Sequence, residues 1–361
     1  MKKVLKVILI ILLIIVIVAL GYVAYVFIDY HRLPDNLALD VEGRSDKIAQ
    51  LDTEYDITSW NIGFAAYTDD YGFFMDGGKE SRAWSKESVL ENMDDIGNKL
   101  YNFGSDFYFI QEVDTDSTRA YHVNEYDLLK NSLLRKNDME YTFAQNYDSP
   151  YLFYPIFEPH GKSVAGIVTA SRFGISSSVR KSLPIQTDVA KVLDLDRCYS
   201  INRVRLEDGH DLVLINFHMS AYTTDPTIVE KQIEKLNADI GTEYAKGNYI
   251  IAGGDFNKDL LVDSSKYFGV SGEDYSWAKS YPMDSIPKGL SLVAPYDPNN
   301  PVPSCRNADG PWDPETQFQI TIDGFMVSNN VKVISSKVVD NQFKNSDHNP
   351  VQMRFMLLSE Y

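Results

Sequence analysis

One run of 22 residues, Val7 to Ile28, has no charged side chain and divides the chain into two parts with different surroundings. Its length and composition suit a helix that spans a bilayer, and it lacks the amphipathic period of a helix packed in a soluble core. Lys2, Lys3 and Lys6 precede the run, and no acidic residue comes before Asp29. The positive-inside rule therefore predicts a single-pass protein of the cell membrane with a cytoplasmic N-terminus and an extracytoplasmic remainder.

A cleaved signal peptide is the alternative for this run. The apolar core of a signal peptide is shorter, and no clear A-x-A site follows here. The nearest approach is Ala19-Leu20-Gly21, after which the apolar run continues. We predict an uncleaved signal anchor with a short cytoplasmic tail over residues 1–28, a polar juxtamembrane linker over 29–50, and one domain over 51–361.

Composition excludes several classes of protein for that domain. Two cysteines cannot form a disulfide framework, and 44% apolar with 12% aromatic residues suffice for a large core, which a disordered chain lacks. A mean hydropathy of −0.25 excludes a multi-span membrane protein. The formal net charge of −17 disfavours loose adhesion to polyanions. It does not exclude an anionic substrate, because a bound metal ion inverts the local field.

Apolar runs bounded by turn residues predict buried strands, and helical periodicities lie between them. The predicted strands are Tyr55–Trp60, Asp106–Ile110, Ala165–Ser171, Leu212–Phe217, Tyr249–Ala252, Phe325–Val327 and Val351–Met356. The predicted helix faces are Val89, Met93, Ile96 and Leu100, and then Val229, Ile233, Leu236, Ile240 and Tyr244, with Asp225 as N-cap and Pro226 at the first helical position. Since strict strand–helix alternation is missing, we predict an α/β fold in which two sheets form the core and helices lie outside.

Polar residues stand at the ends of these predicted strands. Four strands run into polar residues, which are Asn61, Glu112, His218 and the pair Asp255 and Asn257, and two later strands are preceded by Asp323 and by Asp347 and His348. If the later strands lie antiparallel to the first four, these eight side chains meet at one sheet edge. Gly253 and Gly254 leave room there for a ligand or a neighbouring backbone. Each residue alone is ordinary, and only the ordered set is specific.

The ordered set resembles the endonuclease/exonuclease/phosphatase superfamily, which has a deoxyribonuclease-like fold. The matching motifs are Trp60-Asn61-Ile62, Gln111-Glu112-Val113, Asn216-Phe217-His218-Met219, Gly254-Asp255-Phe256-Asn257, Ile322-Asp323-Gly324-Phe325 and Ser346-Asp347-His348-Asn349-Pro350, with weaker matches at Ala170–Phe173 and Pro303–Arg306. The resemblance covers about residues 51–358. It implies a four-layer α/β sandwich of two mixed sheets packed face to face with helices outside. It also implies Mg²⁺-dependent attack of water on a phosphate ester.

The resemblance also implies a role for each polar residue. The metal ion would be held by Asn61, Glu112 and Asp347. The attacking water and the phosphate would be positioned by Asp255 and Asn257. His348, oriented by Asp323, would be the general base or would stabilise the phosphate, and His218 would support the leaving oxygen. Hard oxygen ligands favour Mg²⁺, with Mn²⁺ or Ca²⁺ as alternatives. Arg172, Arg203 and Arg306 are candidate phosphate contacts, because a guanidinium fork suits phosphate oxygens, and surface ion pairs are the alternative.

The predicted function is that of a membrane-anchored, extracytoplasmic phosphodiesterase that acts on nucleic acid or on a phospholipid head group, with no protein partner evident. Nucleic acid is expected first. The Asn216-Phe217-His218 motif disfavours the branches that act on abasic DNA, and Thr321–Gly324 departs from the pattern of the inositol-polyphosphate phosphatases. A sphingomyelinase-like enzyme, a phosphomonoesterase for a small phosphoester and a catalytically silent binding module are the alternatives.

Two aromatic segments and two cysteines leave questions open at this stage. The aromatic segments are Tyr67–Gly78 and Tyr147–Gly161. Three alternatives are open for their side chains, which are stacking on bases, insertion into a lipid interface and packing against the sandwich. Cys198 and Cys305 would form a disulfide only if their Cα atoms lay within about 7 Å of each other.

Overall fold

The computed structural model describes residues 2–186, 191, 196–221, 225, 227–270, 272, 275 and 277–360. The α-helices are α1 (Lys2–Asp29), α2 (Lys86–Phe103), α3 (Glu125–Leu129), α4 (Thr227–Tyr244) and α5 (Ser265–Phe268). The strands are β1 (Leu37–Ala38), β2 (Glu54–Asn61), β3 (Phe107–Asp114), β4 (Glu140–Asp148), β5 (Val164–Ser171), β6 (Ile175–Ser182), β7 (Cys198–Arg205), β8 (Asp211–His218), β9 (Tyr249–Asp255), β10 (Leu290–Val293), β11 (Cys305–Arg306), β12 (Gln319–Ile320), β13 (Asp323–Ser328), β14 (Val331–Val338) and β15 (Val351–Leu357). Each of the seven predicted strands and both predicted helices are therefore present.

Two mixed sheets carry the fold. One has six strands in the order β14-β15-β2-β3-β5-β4, and the other has seven in the order β1-β6-β7-β8-β9-β13-β10. Each sheet contains one parallel pair, β2–β3 in the first and β8–β9 in the second, and the neighbouring strands are antiparallel. The crossover of each parallel pair contains a helix, α2 or α4, as parallel pairing requires.

The central strands are rich in apolar residues because both of their faces are buried. In β9, Tyr249 and Ile251 pack in the cluster between the two sheets, whereas Ile250 and Ala252 pack in the cluster that contains α4. Strand β3 alternates in the same way, between the inter-sheet cluster and the cluster that contains α2. The layers are therefore helix, sheet, sheet and helix, and the predicted four-layer α/β sandwich is confirmed.

The two long helices pack with the faces that their periodicity predicts. The α2 face from Val89 to Leu100 is buried, and a reciprocal capping box between Ser85 and Ser88 begins the helix. In α4, the Asp225 carboxylate accepts the amide of Thr227 at 2.9 Å, which is the bond of an N-cap. Pro226 lies outside the described residues.

The N-terminal part of the chain differs in one respect from the predicted linker. Within residues 29–50, β1 pairs with β6, and Ala49 is fully buried and bridged to Leu206. This segment therefore packs along the domain instead of standing apart from it. Among the described residues, α1 alone is long and apolar enough to cross a membrane, by length and composition, and an N-terminal signal sequence passes the same test. Cys198 and Cys305 are buried free thiols.

Candidate active site

The register of the strands gathers the polar residues at one edge of the sandwich. Strands β2, β3, β8 and β9 end there, and β13 and β15 start there because they run antiparallel to β9 and β2. In the ladders, His218 pairs with Asp255, and Asp255 pairs with Asp323. Strand pairing alone therefore places three predicted site residues side by side.

Asp255 lies at the centre of this cluster. Its Oδ2 accepts the Asn61 side-chain amide at 3.2 Å and lies 3.3 Å from His218 Nε2 and 3.8 Å from His348 Nε2. Its Oδ1 accepts the backbone amide of Asn257 at 2.8 Å. Burial raises the pKa of Asp255 to about 7, although the nearby His348 lowers it. A carboxyl group that titrates near neutrality is suited to general base chemistry.

His348 forms a buried charge pair with Asp323. Its Nδ1 lies 2.8 Å from Asp323 Oδ2, and the Ser304 hydroxyl donates to the same oxygen at 2.8 Å. Ser304 Oγ also accepts the amides of Ile322 and Asp323, which fixes the hydroxyl in place. Burial would lower the pKa of His348, but the Asp323 carboxylate outweighs it and holds that pKa well above the usual value. His348 is therefore an imidazolium, oriented by Asp323.

His218 has the opposite protonation preference. Burial, reinforced by Arg197, lowers the pKa of His218 well below its usual value, so the ring is neutral. Its Nδ1 is buried and has no hydrogen-bond partner among the described residues. Because Nε2 faces the Asp255 carboxylate, we assign the proton of the neutral ring to Nε2. The two histidines thus stand on either side of Asp255 in different charge states.

Glu112 and Asp347 form the acidic side of the cluster. A β-bulge in β3 places Glu112 at a φ of 55°, and its carboxylate accepts the Asn61 amide at 3.1 Å. Burial raises the pKa of Asp347 to about 6, and the charge of Glu112 adds to the rise. Two carboxylates that repel each other across a buried site are the donor set that a hard divalent cation neutralises, so these residues fit Mg²⁺.

Asn61 turns its NH₂ group towards the carboxylates, whereas a metal ligand would present its carbonyl oxygen. Its NH₂ group donates to Glu112 and Asp255, and its carbonyl oxygen accepts the amide of Gly63 at 3.0 Å. In this orientation Asn61 positions the two carboxylates, and ligation through its oxygen would require the amide to turn over. Asn257 is similarly held, at a φ of 47°, with its NH₂ group donating to the Met219 carbonyl at 2.8 Å.

Two other groups of side chains bring possible ligand atoms within 4.8 Å of one another. They are Asp255, Asp323 and His348, and then Cys305, Asp347 and His348. Both groups contain His348, whose Nδ1 is already bonded to Asp323 and whose ring is cationic. In this state the His348 ring has no free lone pair for a cation, so the other side chains of each group are the available ligands.

The glycine pair before Asp255, Gly253 and Gly254, allows neighbouring segments of the chain to approach closely. Gly254 has a φ of 136°, and a Cβ there would lie 2.1 Å from the Phe217 carbonyl oxygen. A Cβ at Gly253 would lie 2.6 Å from the Phe325 ring. Of the two alternatives that the sequence leaves open, the close approach is therefore that of neighbouring chain segments.

A cavity of about 820 Å³ opens over the cluster, and its lining includes many aromatic side chains. Its lining includes Glu112, His218, Asp255, Asn257, Asp347 and His348, together with Phe64, Tyr67, Phe73, Phe74 and Tyr147. Tyr67 and Phe73 belong to the buried cluster against α2. The first aromatic segment, Tyr67–Gly78, therefore packs against the sandwich and forms the inner wall. Tyr22, Phe153 and Tyr154 also line the cavity.

Of the three predicted arginines, only Arg306 reaches the cavity. It is buried there, and its guanidinium donates to the carbonyl oxygens of Gly310 at 3.0 Å and Thr68 at 3.2 Å. Arg172 lies beside Asp106 before the start of β3, at the opposite edge of the sheet, and Arg203 pairs with Glu243 at 2.8 Å. The structure does not bring these two to the site, because both are held in ion pairs elsewhere.

Several residues of the site have no signal in the sequence. Arg119 and Arg197 line the cavity, and Arg119 is held by a buried bidentate pair with Asp114. No motif surrounds either arginine. Ser304 falls inside the weakly matching motif Pro303–Arg306, which is the one sequence feature that points to it.

The fold has counterparts among solved structures at low sequence identity. An endonuclease/exonuclease/phosphatase from Beutenbergia cavernae DSM 12333 is 16% identical with a TM-score of 0.56, and the alignment covers 84% of this chain and 72% of that one. The 2′,3′-cyclic phosphatase ANGEL2, in complex with adenosine-2′,3′-vanadate, is 16% identical with a TM-score of 0.55, covering 89% and 99%. A Bacteroides vulgatus endonuclease/exonuclease/phosphatase is 14% identical with a TM-score of 0.53, covering 84% and 99%.

At these identities the likenesses show the fold. Comparison with curated proteins finds no match. The family model described as Endonuclease/Exonuclease/phosphatase family matches residues 58–348, which is most of the chain. The protein therefore belongs to the Endonuclease/Exonuclease/phosphatase family.

Proposed function

We propose that this protein is a Mg²⁺-dependent phosphodiesterase, tethered by α1 to the outer face of the cell membrane. One observation carries the proposal: a buried carboxyl group, Asp255, faces a neutral His218 at 3.3 Å and a cationic His348 at 3.8 Å. Titratable groups whose surroundings favour opposite protonation states can take up a proton at one atom and stabilise negative charge at another. The family supports a phosphoester substrate, since one structure of this fold holds adenosine-2′,3′-vanadate.

Glu112 and Asp347 would hold the metal ion, with Asn61 keeping Glu112 in place. When bound, Mg²⁺ neutralises phosphate oxygens and so lowers the barrier to attack by water. The residues of the chain supply the remaining steps. Asp255 takes a proton from the attacking water, and Asn257, bonded to Asp255 through its backbone amide, positions that carboxyl group.

His348 stabilises the charge that develops on the phosphate. Since the Asp323 carboxylate keeps its ring protonated, His348 is assigned this role and not that of the base. As the bond from phosphorus to the leaving oxygen breaks, the cationic His348 gives a proton to that oxygen, and the neutral His218 donates a hydrogen bond to it from Nε2. The proton taken by Asp255 and the proton given by His348 balance the reaction, and exchange with solvent restores both groups.

The test uses the full chain in detergent micelles with a soluble diester, bis(p-nitrophenyl) phosphate, and the monoester p-nitrophenyl phosphate. We expect diester hydrolysis that needs Mg²⁺, is abolished by EDTA and falls at least about a hundredfold in Asp255→Asn and His348→Gln. Arg172→Gln is the matched control, because Arg172 lies at the far edge of the sheet.

Each other outcome contradicts a specific part of the proposal. Faster turnover of the monoester would make the protein a phosphomonoesterase. Full activity in Asp255→Asn would remove the assigned base. Silence on both substrates and on supercoiled DNA would favour a binding module that reuses the fold.

A further inference from the structure

We propose that the segment Tyr151–Phe157 inserts into the outer leaflet of the membrane that α1 crosses, and so holds the cavity against the bilayer surface. We call this segment the wedge. The inference rests on the proposed function in one respect, the membrane-spanning role of α1. It adds to that function a docking surface and a substrate class, a phosphoester carried in the head group of a zwitterionic lipid.

The wedge exposes four large apolar or aromatic side chains within five residues. Its side chains are largely in solvent, with Phe153 57%, Tyr154 68%, Ile156 77% and Phe157 102% exposed. Contiguous exposed aromatic and aliphatic side chains mark an interaction surface. This second aromatic segment therefore differs from Tyr67–Gly78, which is buried in the cavity wall.

The wedge is a fixed projection of the domain. At its base, Leu152 and Gly161 pair through two backbone hydrogen bonds of 3.1 and 3.0 Å, and the His160 amide donates to the Tyr154 carbonyl at 3.1 Å. Its apolar tip therefore keeps a defined direction relative to the cavity.

The wedge is bonded to the end of α1 that leaves the membrane. The Tyr22 hydroxyl donates to the Tyr151 carbonyl at 3.1 Å, and the Tyr151 amide donates to the Tyr25 hydroxyl at 3.0 Å. The Tyr22 ring meets the Phe153 ring edge to face, with centroids 5.2 Å apart. These contacts fix the depth of the wedge relative to the helix.

The length of α1 places those contacts at the membrane surface. A helix of 28 residues is about 42 Å long, and the hydrocarbon core is about 30 Å thick, which about 20 residues span. Counted from Val7, the first residue of the uncharged run, about 20 residues end near Val26. Tyr25 therefore lies at the outer boundary of the hydrocarbon and Tyr22 about one helical turn inside it, at the end of the span where tyrosine is enriched. The wedge, which is bonded to both tyrosines, lies at the same depth.

The cavity opens beside the wedge. Tyr22, Phe153 and Tyr154 line the cavity, and the contact of Tyr22 with Phe153 also joins α1 to the wedge. A head group in the outer leaflet therefore has a short path to Asp255 and His348. The formal net charge of −17 repels anionic lipids, whereas apolar insertion needs no charge, so the surface fits a zwitterionic membrane.

The first experiment measures the depth of the wedge directly. Full-length Phe157→Cys and Ile334→Cys are labelled with an environment-sensitive fluorophore and reconstituted into phosphatidylcholine vesicles with or without nitroxide-labelled lipid. Cys198 and Cys305 are buried and do not compete for the label, and Ile334 is an exposed apolar residue on β14. We expect quenching at position 157 to exceed quenching at position 334 at least about threefold. Equal quenching at the two positions would overturn the proposal.

The second experiment measures what the wedge does. Ile156→Ser combined with Phe157→Ser is compared with Ile334→Ser, for head-group release from sphingomyelin and phosphatidylcholine in the same vesicles and for the soluble diester. Neither Ile156 nor Phe157 lines the cavity. We expect the double variant to lose about tenfold or more on the vesicle lipids and to keep its rate on the soluble diester, because the tether alone does not orient the cavity.

The two experiments separate the docking proposal from the proposed function. Quenching at position 157 without hydrolysis of any substrate would refute the proposed phosphodiesterase activity and support membrane insertion of the wedge. Hydrolysis of the soluble diester without quenching would support the activity and refute the insertion. A wedge that is protected from the lipid but cross-links to a second copy of the chain would replace the membrane by a dimer as its occupant and overturn the proposal.

Discussion

Replacing His160 with asparagine is expected to make the protein less sensitive to acid. His160 is buried at the base of the wedge, with Nδ1 3.0 Å from the Ser81 carbonyl and its ring packed at 6.0 Å from Phe73. Burial, with a further contribution from Arg119, lowers the pKa of His160 to about 3. Folding therefore keeps this ring neutral at a pH where the unfolded chain would protonate it.

The size of the effect follows from the two pKa values. An unperturbed histidine has a pKa of about 6.5, so the difference is about 3.5 units, or about 5 kcal/mol at most. Because the pKa of His160 is lowered in the folded state, its contribution is fully present above pH 6.5 and is lost as the pH falls from 6.5 towards 3. At pH 5 the free energy of unfolding is lower by about 2 kcal/mol, since about 1.5 units separate that pH from the pKa of histidine in the unfolded chain.

The assay compares the free energy of unfolding at pH 7.5 and pH 5, for the full chain in detergent. Asparagine can donate its amide to the Ser81 carbonyl in place of the imidazole, and any lost packing is the same at both pH values. We therefore expect His160→Asn to lose about 2 kcal/mol less than the unsubstituted protein does between these two pH values.

His210→Asn is the control. His210 is also paired, with its Nδ1 2.9 Å from Asp208, but its side chain is 48% exposed. His210→Asn is therefore the comparison for the loss of a histidine that folding leaves in contact with solvent. If His160→Asn and His210→Asn both follow the unsubstituted protein, the buried ring is not what makes the protein acid-sensitive, and the reasoning fails.

Further predictions concern the site and its scaffold. Asp323→Asn should keep the fold but lower kcat on the soluble diester by about 10² to 10⁴, because His348 loses its charge partner, and Ser304→Ala should lower it only about tenfold. Gly254→Ala should cost about 3 kcal/mol or more in unfolding experiments, because its Cβ would lie 2.1 Å from a carbonyl oxygen, whereas Gly209→Ala, which meets nothing within 4 Å, should cost about 1–2 kcal/mol. Arg172→Gln should leave kcat/KM within about twofold, since its guanidinium is held by Asp106 and by the end of α2; a larger loss would return Arg172 to the site.

The sequence predicts the layers of the fold and the meeting point of the polar residues for one physical reason. Strands buried on both faces are mostly apolar, so an ionisable residue at the end of such a run indicates a place where the sheet edge can hold a site. Asp255 and His218 were found in this way, and antiparallel pairing of β13 and β15 brings Asp323 and His348 to them.

What the sequence does not predict depends on contacts between distant segments. The direction of Glu112 comes from a bulge whose residues have no distinctive pattern. Three arginines of the same chemical kind could not be told apart, because only the tertiary structure shows that Arg306 faces the cavity while Arg172 and Arg203 pair with acids elsewhere. The buried pair of Arg119 and Asp114 was missed for the same reason.

The position of β15 in the six-stranded sheet has a consequence for how the protein is made. Strand β15 lies between β14 and β2, so β2 stays unpaired on that side until β15 has been synthesised. Contacts between such distant segments form slowly, and an open strand edge invites pairing with other chains. His348 lies just before β15. A nascent chain would therefore lack a complete site until β15 has been synthesised, and its exposed β2 edge would need protection throughout that interval.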